Sequence, residues 1–163
     1  MTATAANGPT PGTGSNESDE LNEFVPMLLS IAKSSRAFLT LLLAEIGLHP
    51  GQDQLLQGLD PGEKVSVSVL AEQLAVRPST VSKMLDRLIE RDLVKRTANS
   101  QDARRTMVTL TAEGEKVRRD VQGIWDRLEA ELKGSFGEAE FAEQIRMLEK
   151  VDMLLTAKLR RLR

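Results

Sequence analysis

Residues 66–96 read SVSVLAEQLAVRPSTVSKMLDRLIERDLVKR, and their spacing decides the fold. Val69, Leu70 and Leu74 make a helix of two turns that must end before Pro78, because proline disfavours helical backbone in the residue ahead of it. From Ser79 to Asp92 the apolar residues Val81, Met84, Leu85, Leu88 and Ile89 recur at i, i+3, i+4, i+7 and i+8, the stripe of a second, longer helix. Two helices that cross closely need a small residue at the crossing, here Ala71, and apolar residues to lock them, here Leu70, Leu74, Val76, Val81 and Met84. Leu93–Thr97 and Arg105–Leu110 then alternate as short β-branched strands, with the polar stretch Ala98 to Arg104 as the hairpin tip. Short helix, tight turn, longer helix and two-stranded wing, in that order, spell a winged helix-turn-helix.

Working outward, Leu21, Phe24, Val25, Leu28, Ala32, Ser35, Phe38, Leu39, Leu42 and Ile46 form the stripe of a long amphipathic helix closed by Gly47. Pro26 is acceptable there only within the first turn, so the helix starts near Asn22. His49-Pro50 is expected to open a second helix, with Pro in the first helical position and Leu55, Leu56 and Leu59 inward. Thr111 is a natural N-cap for a helix carrying Val117, Val121, Ile124, Leu128 and Leu132, which Gly134, Ser135 and Gly137 interrupt. A last helix carries Phe141, Ile145, Leu148, Val151, Leu155, Leu159 and Leu162. Met1 to Glu20 is too polar to bury a core and is expected to be disordered. The expected architecture is mainly α: a disordered tail over 1–20, an N-terminal dimerisation helix over 21–48, a winged helix-turn-helix DNA-binding domain over 49–111 with a two-stranded β wing, and C-terminal dimerisation helices over 112–163.

Composition narrows the function. The 163 residues hold no Cys, no Tyr and one His, which removes disulfides, thiolate nucleophiles, zinc–thiolate sites and any multi-histidine metal centre. No Gly-rich phosphate loop is present either, so the chain is not expected to be an enzyme or to carry a cofactor or metal. No apolar run reads as approaching the ~20 residues of a membrane span, and the N-terminus lacks a signal-peptide pattern, so the expected location is cytoplasmic.

The charge distribution points to double-stranded DNA. Between Arg77 and Arg105 eight bases, Arg77, Lys83, Arg87, Arg91, Lys95, Arg96, Arg104 and Arg105, face four acids, Asp86, Glu90, Asp92 and Asp102, inside a chain of net charge −2. The local field at a contact surface outweighs the total, so the acidic balance of the chain does not argue against a nucleic acid. With its apolar stripe buried, the second helix must expose Ser79, Thr80, Ser82, Lys83, Asp86 and Arg87. Small hydroxylated residues let backbone approach a major groove, and Lys and Arg supply phosphate or guanine contacts. Arg104 and Arg105, beside the hairpin tip, are placed to reach a minor groove, Arg104 ranking first. Asp86, Glu90 and Asp92 read as partners of neighbouring bases.

These residues resemble the multiple antibiotic resistance regulators, the MarR family. The resemblance rests on residues 66–96 and on SQDARRTMVTLTAEGE at 100–115, with Asp102, Arg104 and the Val-x-Leu-Thr ending at Thr111 as the strongest marker. It implies a homodimeric transcription regulator, a repressor before an activator, that binds an inverted-repeat operator and is released by a small, often phenolic or anionic, effector. It also implies that Arg104 enters the minor groove and that Asp102 orients it. Ala75 and Asp92 stand where the family commonly has Gly, and a left-handed backbone at Ala75 would cost about 1 kcal/mol. Ser66 is a candidate cap for the short helix, without a capping box because Val69 follows.

The long terminal stripes exceed what the small winged core can cover, which also calls for a partner. A two-fold dimer would set two recognition helices about 34 Å apart, the spacing of successive major grooves. His49 reads as a cap of the second helix, with an effector-pocket or pH-sensing role as the alternative. Trp125 reads as a core or interface aromatic, with an effector pocket as its alternative. The competing function is a winged-helix protein–protein interaction module without specific DNA binding.

Overall fold

The structure is a computed structural model that describes residues 23–98 and 106–162. The polar stretch 1–20, expected to be disordered, and the wing-tip residues Asp102, Arg104 and Arg105 lie outside the described residues. In chain order the elements are α1 (Phe24–Glu45), α2 (Gln52–Gln57), β1 (Val65–Ser66), α3 (Val67–Gln73), α4 (Pro78–Glu90), β2 (Val94–Ala98), β3 (Thr106–Leu110), α5 (Ala112–Ser135) and α6 (Glu138–Arg161). The fold is mainly α, a winged helix-turn-helix flanked by long N- and C-terminal helices. The chain divides into two units, residues 1–38 and 39–163.

In the first unit, residues 24–38 of α1 are helical and almost wholly exposed, Phe24, Val25, Met27, Leu29 and Ile31 included. Pro26 falls within the first turn, where its missing N–H costs nothing. One expectation is corrected by α1. By length and composition this helix is apolar enough to cross a membrane, with a mean hydropathy of 1.4 over its best window. The reason is compositional: Lys33 and Arg36 are the only charges between Phe24 and Ala44, and Leu, Ile, Val, Phe, Met and Ala outweigh the few Ser and Thr.

The second unit holds the core: Leu43, Leu48, Leu55, Leu56, Leu59, Leu70, Val81, Leu85, Leu88, Leu93, Val94, Val108, Val121 and Ile124 are buried. The chain turns into this core by one device used repeatedly. After α1, Leu48 N–H donates to the Leu43 carbonyl and Gly47 N–H to that of Ala44, with Gly47 at φ 68. After α3, Val76 bonds back to Ala71 and Ala75 to Glu72, with Ala75 at φ 52. After α4, Leu93 bonds back to Leu88 and Asp92 to Ile89, with Asp92 at φ 55. Each is a Schellman closure, in which a left-handed residue satisfies the last helical carbonyls. After α1 and α4 it also buries an apolar pair, Leu43 with Leu48 and Leu88 with Leu93. The left-handed backbone suspected at Ala75 and Asp92 is present at both.

Two starts are capped as expected: Ser66 Oγ accepts from Val69 N–H at 3.3 Å, and Thr111 Oγ1 accepts from Gly114 N–H at 3.0 Å. The start of α2 differs. Gly51, not Pro50, precedes the helix and stands at φ 95, so regular helix cannot begin before Gln52. Pro50 sits in the turn, and His49 does not cap α2 with its side chain. Instead Gln52 Oε1 accepts from His49 N–H at 2.9 Å and Asp53 Oδ1 accepts from Gly51 N–H at 2.8 Å.

The wing strands β2 and β3 pair antiparallel, Val94 opposite Leu110 and Arg96 opposite Val108. A two-residue strand joins them, for β1 pairs with β3 through Val65–Val108 and Ser66–Met107, giving the order β1-β3-β2. Val65 reads in the sequence as an apolar lead into α3. Its pairing depends on the distant β3.

Helix α5 starts against the base of the wing. Thr111 N–H donates to the Leu93 carbonyl at 3.1 Å, and Thr111 Oγ1 donates to the Asp92 carbonyl. Gly114 lies so close that a Cβ there would stand 1.8 Å from the Leu93 carbonyl oxygen. Further along, Gln57 Nε2 donates to the Arg118 carbonyl at 2.9 Å, and Arg118 pairs with Asp60 at 3.1 Å, tying α2 and its following turn to α5. Val117, Val121 and Ile124 are buried, but farther along the same stripe Leu132 is exposed, and α6 buries no residue at all.

Two stability predictions follow from this geometry. Gly114→Ala should cost about 3 kcal/mol or more in urea unfolding, because the obstructing atom is backbone that cannot swing aside. Ala75→Gly should raise stability by about 0.5–1 kcal/mol in the same assay, since glycine adopts the left-handed conformation without the Cβ penalty.

Candidate nucleic-acid interface

Helix α4 begins with Pro78, whose ring presets helical φ, after Arg77 in extended conformation at φ −74 and ψ 146. One side of α4 is pinned by the buried Val81, Leu85 and Leu88 against α3, where Ala71 is buried at the crossing. Rotation of the helix is therefore set, and the opposite side must face water. On it lie Ser79, Thr80, Lys83, Asp86, Arg87 and Glu90, all exposed, with Arg77 exposed at the helix entrance. Thr80, Lys83 and Arg87 fall three and four residues apart and so share one line along the surface. Lys95, on β2, is also exposed.

Ser82 is only half-exposed, and the reason is Arg96. The Arg96 guanidinium on β2 donates through Nη1 to Asp86 Oδ1 at 2.8 Å and through Nη2 to the Ser82 carbonyl at 3.1 Å. A wing residue thus clamps the solvent side of α4 and neutralises its central acid. Asp86 was expected to pair with a neighbouring base, and it does. Arg77, Lys83, Arg87 and Lys95 make no ion pair with any described residue, so Arg77, Lys83 and Arg87 remain displayed on or at the start of α4 and Lys95 on the wing.

The structure brings Ser79, Thr80, Lys83 and Arg87 onto this side, with Arg77 at its entrance and Ser82 at its edge, whereas Lys95, next to Arg96 on β2, is exposed on the opposite face of the wing. Asp102, Arg104 and Arg105 lie outside the described residues. His49 is exposed ahead of α2, and Trp125 is half-buried, packed against the main core. The Trp125 indole N–H is shielded from solvent and has no hydrogen-bond partner among the described residues. A cleft of about 410 Å³ opens between α3, α4 and the wing, lined by Ser66, Val67, Ser68, Ser82, Asp86, Arg96 and Thr106. Neither His49 nor Trp125 lines it. Among the described residues no group of three or more His, Cys, Asp or Glu could hold a metal ion.

Sequence reasoning passed over Arg96 and Gly114 as positions of structural consequence. Arg96 meets Asp86 across ten residues only because the chain turns at Asp92 and folds β2 back beside α4, and no local spacing signals that. Gly114 did leave a signal, a glycine in the first turn of an otherwise strong helix, where its flexibility is unfavourable unless a close approach demands it.

A helix-turn-helix with its second helix displayed beside a β wing defines the class, a winged helix-turn-helix protein. Residues 48–106 match the MarR family. The HTH-type transcriptional repressor MdtR of Bacillus subtilis (strain 168) is 39% identical over 69 residues, 42% of this chain and 44% of that protein. The chain thus aligns with less than half of that curated relative. Solved structures share the fold more widely. The transcriptional regulator SlyA superposes with a TM-score of 0.78 at 15% identity, over 86% of this chain and 99% of that one. A mutant MarR from E. coli complexed with operator DNA superposes with a TM-score of 0.72 at 23% identity, over 84% and 99% of the two chains. The YusO protein of Bacillus subtilis does so with a TM-score of 0.63 at 24% identity, over 85% and 99%. These likenesses are of fold.

The clamp itself is open to test. Asp86 is well exposed, so its pair with Arg96 contributes little to stability, and a double-mutant cycle on Asp86→Ala and Arg96→Ala should give a coupling of about 1 kcal/mol or less.

Proposed function

We propose that this protein is a homodimeric, sequence-specific DNA-binding transcription regulator, a repressor, that acts on an inverted-repeat operator and is not an enzyme. The observation that carries the reading is the solvent side of α4. It presents small hydroxyls at its start and Lys83 and Arg87 along its length, neither ion-paired with a described residue, with Arg77 at its entrance. That is the residue chemistry of a helix that lies in a major groove, reading base edges with its first turns and gripping phosphates with its cations. Ser82 has its hydroxyl to offer, because Arg96 occupies its backbone carbonyl. Arg104 and Arg105 are assigned to the minor groove, with Asp102 orienting Arg104. The repressor MdtR and the MarR complex with operator DNA are consistent with this assignment.

Dimerisation is assigned to segments 21–48 and 112–163, around a DNA-binding domain at 49–111. Taken separately, residues 24–38 and helix α6 each leave large apolar side chains in water, Met153 and Leu154 on α6 being more than half exposed. A solvent-facing stripe of this size costs free energy that a second copy recovers by covering it. On this reading the apolar α1 packs against protein and not lipid, and the protein is cytoplasmic. Release by a small phenolic or anionic effector is the regulatory part of the proposal. The unpartnered indole N–H of Trp125 makes it a better candidate contact than the exposed His49.

Selection from a pool of random duplexes tests the assignment. The protein should enrich an inverted repeat, with log affinity falling steeply against log salt as phosphate contacts release counterions. Thr80→Ala and Lys83→Ala should change which operators are enriched, whereas Arg104→Ala should weaken binding to all of them. A protein that binds no duplex even at about 50 mM salt is not a DNA-binding regulator, and capture of a protein partner with a flat salt dependence would identify an interaction module. Light scattering should give the mass of two chains.

A further inference from the structure

The three residues Arg91, Asp92 and Leu93 form a joint between elements that have different tasks. Arg91 closes α4, yet its side chain reaches back to the end of α1: Nη2 donates to the Ile46 carbonyl at 3.0 Å and Nη1 donates to the Gly47 carbonyl. These are carbonyls at the negative end of the α1 dipole, where a cation is favoured. A Cβ on Gly47 would only touch the guanidinium, 3.4 Å from its nitrogens, so glycine is favoured there by its φ of 68 and not by space. Asp92 and Leu93 carry the Schellman closure of α4, and their carbonyls receive the Thr111 hydroxyl and the Thr111 N–H at the start of α5. One short stretch therefore holds the last turn of α1, the end of α4 and the first turn of α5.

We infer that Arg91 is a positioning residue that sets the angle between the recognition helix α4 and the end of α1, and through it the separation of half-sites that the protein accepts. This rests on the reading of the protein as a dimer that binds an inverted repeat. The buried leucines around the joint fix which side of α4 faces inward, but apolar contact is non-directional and tolerates small changes in the angle between helices. A guanidinium fork on two successive carbonyls is directional, and a lysine cannot reproduce it. Arg91 touches the end of α1 and points its charge at carbonyls, so it is not free to grip phosphate like Lys83 or Arg87. Being exposed, it adds little to folding. Its removal leaves a folded protein whose recognition helix has lost one angular restraint.

The test uses the full-length wild type, Arg91→Met and Arg91→Lys, each bound to the selected operator, to operators with spacers lengthened or shortened by one and two base pairs, and to a single half-site. Circular dichroism and light scattering check fold and mass. The wild type should prefer its own spacing by about tenfold, an ordinary discrimination for a misplaced contact. Arg91→Met should cut that preference to about threefold or less while half-site affinity stays within about twofold, and Arg91→Lys should not restore it. Spacing preference kept in Arg91→Met, full rescue by Arg91→Lys, or equal losses on half-site and spaced operator would each overturn the inference. A wild type without any spacing preference would instead overturn the dimeric reading beneath it.

Discussion

The carbonyl of Leu93 is the point on which the winged segment turns. It accepts the Thr111 N–H, and Gly114 packs against it at a distance that admits no side chain. That contact lets α5 begin directly beneath the wing, which in turn aligns β3 for pairing with β2 on one side and β1 on the other. The neighbouring left-handed Asp92 makes the approach available by ending α4 abruptly and sending the chain back along it. Recognition helix, wing and C-terminal helix are thus placed relative to one another within a few residues, largely by backbone geometry.

Backbone closure of this kind leaves side chains free for other work. Arg96, carried back beside α4 by the same reversal, is used against Asp86 and the Ser82 carbonyl, while Arg91 is used on α1. Two of the eight bases counted between Arg77 and Arg105 are therefore internal fittings. Arg77, Lys83 and Arg87 lie on or at the start of one helix, and the removal of Asp86 from the balance by its ion pair sharpens their field. A basic segment in an acidic chain is a coarse signal, and the pairing pattern turns it into a directed one.

The apolar material is divided as unevenly as the charge. Leu55, Leu56, Leu59, Leu70, Val81, Leu85, Leu88, Leu93, Val94 and Val108 of the winged segment are almost fully buried, whereas residues 24–38 and α6 are apolar and wet. The composition of α1 satisfies the length and hydropathy of a membrane span, and its amphipathic spacing satisfies a protein-facing helix equally well. The two uses share one physical requirement, a long surface that water does not wet, and spacing alone does not separate them.

Sequence alone determined what depends on local periodicity and local chemistry. The stripes of α1, α4, α5 and α6, the caps at Ser66 and Thr111, and the exposed set on α4 all follow from interactions within a turn or two of chain, whereas the left-handed residues at Ala75 and Asp92 were legible only through the family resemblance. Local reasoning failed where a local cue was overridden, as when Gly51 rather than Pro50 set the start of α2. It failed more often where the partner is remote in sequence: β1 exists because Val65 meets Val108, Arg96 meets Asp86 across a chain reversal, and Arg91 finds the end of α1 over forty residues away. A hydrogen bond of that range leaves no periodic trace, because its geometry is fixed by how helices pack and not by how residues are spaced. Tertiary structure alone therefore decided which of the basic residues are displayed and which hold the fold together.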